Sequence, residues 1–150
     1  MKVIYHCFGG AHSSVTAAAI HLGLLPRDRL PTTEELLSLP YFDASPEGRQ
    51  GQFQYMGRDE KGNEVYCVGR RGLGEYFQAL VKGLVSALNI KEEILLLDTS
   101  SCVNWLMVAG GYISRRLGAV RLGRPVVVLG TLKAYPCLLS LVESNRCKWG

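Results

Sequence analysis

No Cys-x-x-Cys pair occurs in the 150 residues of this chain, no lysine precedes a serine or threonine, and no apolar run approaches the length of a bilayer-crossing helix. Each absence removes a class. Five cysteines without paired spacing (Cys7, Cys67, Cys102, Cys137, Cys147) exclude a zinc ribbon and a conventional disulfide framework. The expectation is reduced thiols packed as small apolar groups, with Cys7 set apart by its position. Runs such as Ile94 to Leu97 and Pro125 to Leu129 fall far short of the roughly 20 residues that cross a membrane. With no signal-peptide core before the first glycine turn, the expectation is a cytoplasmic protein that does not engage a membrane.

Acidic residues are scarce in the C-terminal third. Residues 1–98 hold 10 basic and 12 acidic side chains, whereas 99–150 hold 7 basic ones against Glu143 alone. A solvated basic face would account for this, and so would a partner of opposite charge, whether phosphate, an acidic protein or RNA.

What is present is an ordinary globular composition, 47% hydrophobic, at single-domain length. Lys2 to Cys7 reads as a buried strand and runs into Phe8-Gly9-Gly10-Ala11-His12-Ser13-Ser14, followed by an alanine-rich helix over Val15 to Leu22 capped by Ser13 or Ser14. Thr32 and Glu35 have capping-box spacing and open a short helix that ends before Pro40. Residues 43–51 read as loop. A β-hairpin insertion covers about residues 52–69, with strands Gln52–Gly57 and Glu64–Val68 at a sheet edge. Phe77, Leu80, Val81, Leu84, Val85 and Leu88 form a helical stripe facing a core. Glu93–Asp98 reads as a strand buried on both faces, then comes a helix capped by Ser100 or Ser101 with Gly110-Gly111 in its middle, a third buried strand over Val126–Gly130, and a last helix over Tyr135–Glu143. This alternation predicts a single α/β domain spanning 1–150, a three-layer, mostly parallel sheet with helices on both faces.

A glycine turn between strand and helix aims backbone N–H groups and the positive end of the helix dipole at one point, which suits phosphate or carboxylate. In such sheets ligands bind beyond the carboxyl ends of the strands. The loops Cys7–Ser14, Asp98–Ser101 and Gly130–Tyr135 should therefore converge. The candidate binding residues are Gly9, Gly10, Ala11, His12, Ser13, Ser14, Thr99, Ser100 and Thr131. Cys7, His12 and Asp98 are the candidate catalytic residues, Asp98 doubling as a metal ligand. The ligand class is a phosphate-bearing small molecule, with a nucleotide and Mg2+ as the cofactor this pattern would suit. A helix N-terminus favours the thiolate of a cysteine placed there. Cys7 is therefore either a nucleophile for phosphoryl or acyl transfer or a packed thiol, and His12 is better placed than His6 as its base, because strand alternation sends His6 to the other side.

Three known loops resemble the turn. Its glycine and hydroxyl content is similar to that of P-loop NTPases, but the lysine is missing. Low-molecular-weight tyrosine phosphatases match at Cys7, Gly9 and Ser14 but carry arginine where Ser13 stands. The phosphocysteine loop of sugar phosphotransferase IIB components resembles Cys7, Gly10, Ser13 and Ser14 and needs no arginine. Over nearly its whole length the chain also resembles a family of short bacterial proteins of unknown function. The resemblance rests on Tyr5-His6-Cys7, Gly9-Gly10, His12-Ser13-Ser14, Ile20-His21-Leu22-Gly23, Tyr55-Met56-Gly57 and Gly62-Asn63-Glu64-Val65-Tyr66. It implies kinship without an activity. A homo-oligomer and a non-catalytic module built on the basic C-terminal third remain open alternatives.

Overall fold

The computed structural model describes residues 1–44 and 51–149, so the central part of the loop expected over 43–51 lies outside the described residues. Four strands, β1 (Lys2–Cys7), β2 (Gln54–Arg58), β3 (Glu64–Gly69) and β4 (Ile94–Asp98), form one mixed sheet in the order β2-β3-β1-β4. β1 runs parallel to both β3 and β4, while β2 pairs antiparallel with β3. The hairpin joins the main sheet. Its second strand lies beside β1, and its first, β2, forms one edge of the sheet, where the hairpin was expected.

Among the described residues five helices pack with the sheet: α1 (Ser13–His21), α2 (Thr33–Leu37), α3 (Tyr76–Ala87), α4 (Trp105–Arg115) and α5 (Val120–Asn145). One side of the sheet, with Val3, Tyr5, Val65, Cys67 and Leu97, shares a core with residues of α1 and α5. On the other side Ile4 and Val68 meet Phe77 of α3. All nine residues of α1 are buried. A helix enclosed all round carries no amphipathic stripe, which is why alanine dominates it.

The expected third strand does not exist. Val126–Gly130 lies inside the 26-residue α5, which also absorbs Tyr135–Glu143. A short apolar run bounded by Pro125 and Gly130 reads equally as strand or buried helix, and packing decides. Here the glycines serve close helix contact. A Cβ on Gly123 would sit 2.3 Å from the Ser114 nitrogen, one on Gly110 2.5 Å from that of Val127, and one on Gly130 2.7 Å from that of Met107. α5 together with the 3-10 turn after it is long and apolar enough to cross a membrane by length and composition, unlike any run seen in the sequence. In this fold it carries core residues, among them Val127, Tyr135, Leu138 and Val142.

Other differences are local. β4 is an edge strand with only Leu97 buried, not one enclosed on both faces. His12 is the N-cap residue of α1, so Ser13 and Ser14 lie within the helix, and Asn104 caps α4 in place of Ser100 or Ser101. The Thr32–Glu35 capping box forms as expected. Cys102 and Cys137 form a disulfide that ties the segment after β4 to α5, against the expectation of reduced thiols. Their 35-residue separation hides this pairing from any local pattern.

Candidate functional site

The Cys7–Ser14 turn is held by backbone contacts. Gly10 takes φ +70° and lies against β3, where an added Cβ would come within 2.4 Å of the Gly69 nitrogen. Gly69 in turn lies against Gly9, and the N–H groups of Arg70 and Arg71 donate to the carbonyls of Cys7 (2.9 Å) and Phe8 (3.0 Å). Only glycine fits both the left-handed backbone and this approach.

Inside the turn the Cys7 thiol is the focus. The Gly10 N–H donates to Cys7 Sγ at 3.1 Å, and the Ser14 hydroxyl lies 3.4 Å from it. Among the described residues no side-chain hydroxyl or carboxylate caps the N-terminus of α1. Thr99 donates to Ser13 Oγ at 3.0 Å, so the loop after β4 meets the first turn as expected. Gly10, Ala11, Ser13 and Ser14 are buried, and the exposed residues of the turn are Phe8 and Gly9. Arg71 stands over the Phe8 ring. Half-buried Arg115, on α4, has a buried Nη1 without a partner among the described residues; burial lowers its pKa from the ordinary arginine value, and Asp43 and Arg71 are among its charged neighbours. Two open depressions, about 340 Å³ between α3 and β4 and about 470 Å³ between α2 and α5, lie away from the turn.

His12 is oriented by a residue with no local signature in the sequence. Its Nε2 lies 3.1 Å from Asp43 Oδ1, and the Asp43 carboxylate, fully buried, also accepts from the Ser114 hydroxyl and from Arg124 Nε at 3.0 Å. Burial would raise the Asp43 pKa, but its donors outweigh burial and hold it below the ordinary carboxylate value. Asp43 (φ +50°) and nearby Tyr41 (φ +67°) both adopt left-handed backbone, a strain the network must offset. With Nε2 committed to Asp43, His12 has Nδ1 for other chemistry.

Asp98 does not stand as a free metal ligand. Its carboxylate accepts the Ser100 N–H at 2.8 Å and pairs with Arg70 at 3.2 Å, and Arg70 also donates to Ser100 Oγ. Among the described residues no cluster of three His, Cys, Asp or Glu side chains is placed to hold a metal. Thr131 is corrected too. The loop expected there is helix, and its hydroxyl donates to the Val127 carbonyl.

The other two histidines also meet aspartates. His6 accepts from Gln78 at Nε2 and faces Asp98 at 3.8 Å, while His21 accepts from Tyr5 at Nδ1 and donates to Asp59 at 3.0 Å, stacked on Trp149. Burial is the largest influence on both, and it lowers their pKa values from the ordinary 6.5. The neutral forms therefore belong to the fold. The unfolded chain binds more protons below pH 6.5, so stability is expected to fall as the pH drops from 6.5 toward 5. Urea titrations at both ends of that range check this, and His21→Gln should flatten the dependence.

Fold and turn together define a class: an α/β protein with a mixed four-strand sheet and a cysteine-headed glycine turn leading into its first helix. Within that class the chain belongs to the family described as protein of unknown function (DUF3189), whose profile matches residues 2–147. No curated protein and no solved structure gives a significant match.

Proposed function

We propose that this protein binds a phosphate-class oxyanion at the Cys7–Ser14 turn, with the Cys7 thiol in contact with the bound anion. One observation carries the reading: the Gly10 N–H and the Ser14 hydroxyl converge on Cys7 Sγ at the uncapped N-terminus of α1. The Nη1 of Arg115, without a partner among the described residues, and the charge of Arg71 add the positive field that such an anion requires. Entry is by way of Phe8 and Gly9, the exposed residues of the turn. The proposal carries the oxyanion alone. With Asp98 paired to Arg70, a nucleotide held through Mg2+ has less support.

A second reading, transfer chemistry through a Cys7 nucleophile, draws on the Asp43–His12 pair. An imidazole fixed at Nε2 by a buried carboxylate has the orientation of a general base. The distinction lies in whether a covalent Cys7 adduct forms.

The test is peptide-resolved alkylation by iodoacetamide with and without inorganic phosphate. Exposed Cys147 serves as the internal control. Phosphate is expected to slow labelling of Cys7 several-fold and leave Cys147 unchanged, and Ser14→Ala should remove the protection. Equal Cys7 rates with and without phosphate in the folded wild type defeat the proposal. Gly10 variants are unsuitable, because a side chain there collides with β3 and tests folding instead.

A further inference from the structure

Two guanidinium groups beside the Cys7–Ser14 turn lack a counterion among the described residues. Arg115 is half-buried on α4, and Asp43, the carboxylate among its charged neighbours, is already taken by His12, Ser114 and Arg124. Arg71, half-buried in the 3-10 turn after β3, is another of its charged neighbours and has the same sign. Like charges half withdrawn from water repel each other, and an anion placed beside both relieves that repulsion.

Both groups are brought to the turn by the backbone. Arg71 adopts φ +50°, a left-handed conformation that costs energy for a residue with a Cβ, and its N–H donates to the Phe8 carbonyl at 3.0 Å. Its guanidinium thereby stands over the Phe8 ring, 5.9 Å from the centroid. Arg115 comes from α4. One helical turn before it, Gly111 sets α4 against His12, where an added Cβ would lie 3.2 Å from Cε1 and 3.6 Å from Nδ1.

The turn also limits what can be attached to the anion. Gly10, Ala11, Ser13 and Ser14 are buried, whereas Phe8 is 61% exposed and a Cβ built on Gly9 would meet nothing within 4 Å. An oxyanion seated against Cys7 Sγ and the N-terminus of α1 has its inner oxygens among enclosed residues and room for one substituent, which leaves past Gly9 along Phe8. Resting on the anion reading of this turn, we propose that its ligand is a dianionic phosphomonoester, with Arg71 and Arg115 on the outer oxygens and a flat apolar group next to the phosphate packed on the Phe8 ring. Guanidinium groups match phosphate oxygens in pairs, and an aromatic ring takes a planar group in offset stacking. A diester fits worse on both counts, since it brings one negative charge to two arginines and a second substituent to buried residues.

Protection of Cys7 from iodoacetamide in the full chain tests this with phosphonates that share one dianionic head group. Phenylphosphonate is expected to protect at a concentration about tenfold lower than methylphosphonate, and the diester diphenyl phosphate is expected not to protect. Phe8→Ala should erase the advantage of the phenyl group and leave protection by methylphosphonate in place. Arg71→Gly, which suits the left-handed backbone, and Arg115→Gln should each weaken protection by both phosphonates at least about tenfold, with circular dichroism and Cys147 labelling unchanged. If Arg115→Gln does not fold, Arg71→Gly decides. Equal protection by the two phosphonates, an advantage that survives Phe8→Ala, or protection by diphenyl phosphate overturns the ligand class and leaves the anion turn standing. Protection indifferent to Arg71→Gly overturns the role of the arginines. Failure of inorganic phosphate and both phosphonates to protect removes the turn reading, and this inference with it.

Discussion

Asp43→Ala is expected to destabilise the protein by about 3–5 kcal/mol, the range for removing one partner from a buried charged network. The carboxylate is fully enclosed and takes hydrogen bonds from His12, Ser114 and Arg124. Without it the Ser114 hydroxyl and His12 Nε2 lose their acceptor in a buried site. Arg124 is 43% exposed and can rehydrate, so Arg124→Ala should cost no more than about 1 kcal/mol. Urea unfolding of the two variants gives the comparison; equal losses would mean that the network is not held by its buried carboxylate. The Asp43 pKa is depressed, so its contribution is present above the ordinary carboxylate value of 3.8 and is lost as the pH falls below that value toward the depressed one. Imidazole nitrogen resonances of Asp43→Ala should show His12 released from its fixed tautomer, the readout that links this residue to the anion turn.

The second large effect is expected from the disulfide. A crosslink between Cys102 and Cys137, 35 residues apart, restricts the unfolded chain by about 3–4 kcal/mol. Cys137 is exposed, so a reductant can reach the bond. Dithiothreitol should lower the urea midpoint of the wild type and leave a Cys102→Ala, Cys137→Ala double variant unmoved. A wild-type midpoint that ignores reductant would place both sulfurs outside the folding equilibrium.

The parts of the fold legible in sequence are those written in local chemistry. β1 follows from an apolar run that stops at a glycine pair, α2 from a Thr–Glu capping box, and β2 and β3 from β-branched and aromatic runs around a polar turn. The first turn and its meeting with Thr99 also followed, because parallel strands bring their carboxyl ends to one edge. The strand expected over Val126–Gly130 failed because apolar content without length or period does not separate strand from helix, and glycines that press α4 on α5 imitate turn punctuation. That error displaced Thr131. Asp43 was illegible for another reason: its partners lie 31, 71 and 81 residues away, and only the folded chain brings them together. The α3 stripe showed the right period and the wrong conclusion, for of its twelve residues only Phe77 is buried, and periodicity marks an apolar face without saying what covers it.

The enclosure of α1 bears on folding. Its nine residues are walled in by the first strands on one flank and by α5 on the other. α1 is therefore enclosed only once α5 is in place, and a chain lacking α5 would leave Val15, Ile20 and the alanines between them uncovered on that flank. Docking of α5, which lies about a hundred residues along the chain from α1, is the long-range step on which completion of this core depends.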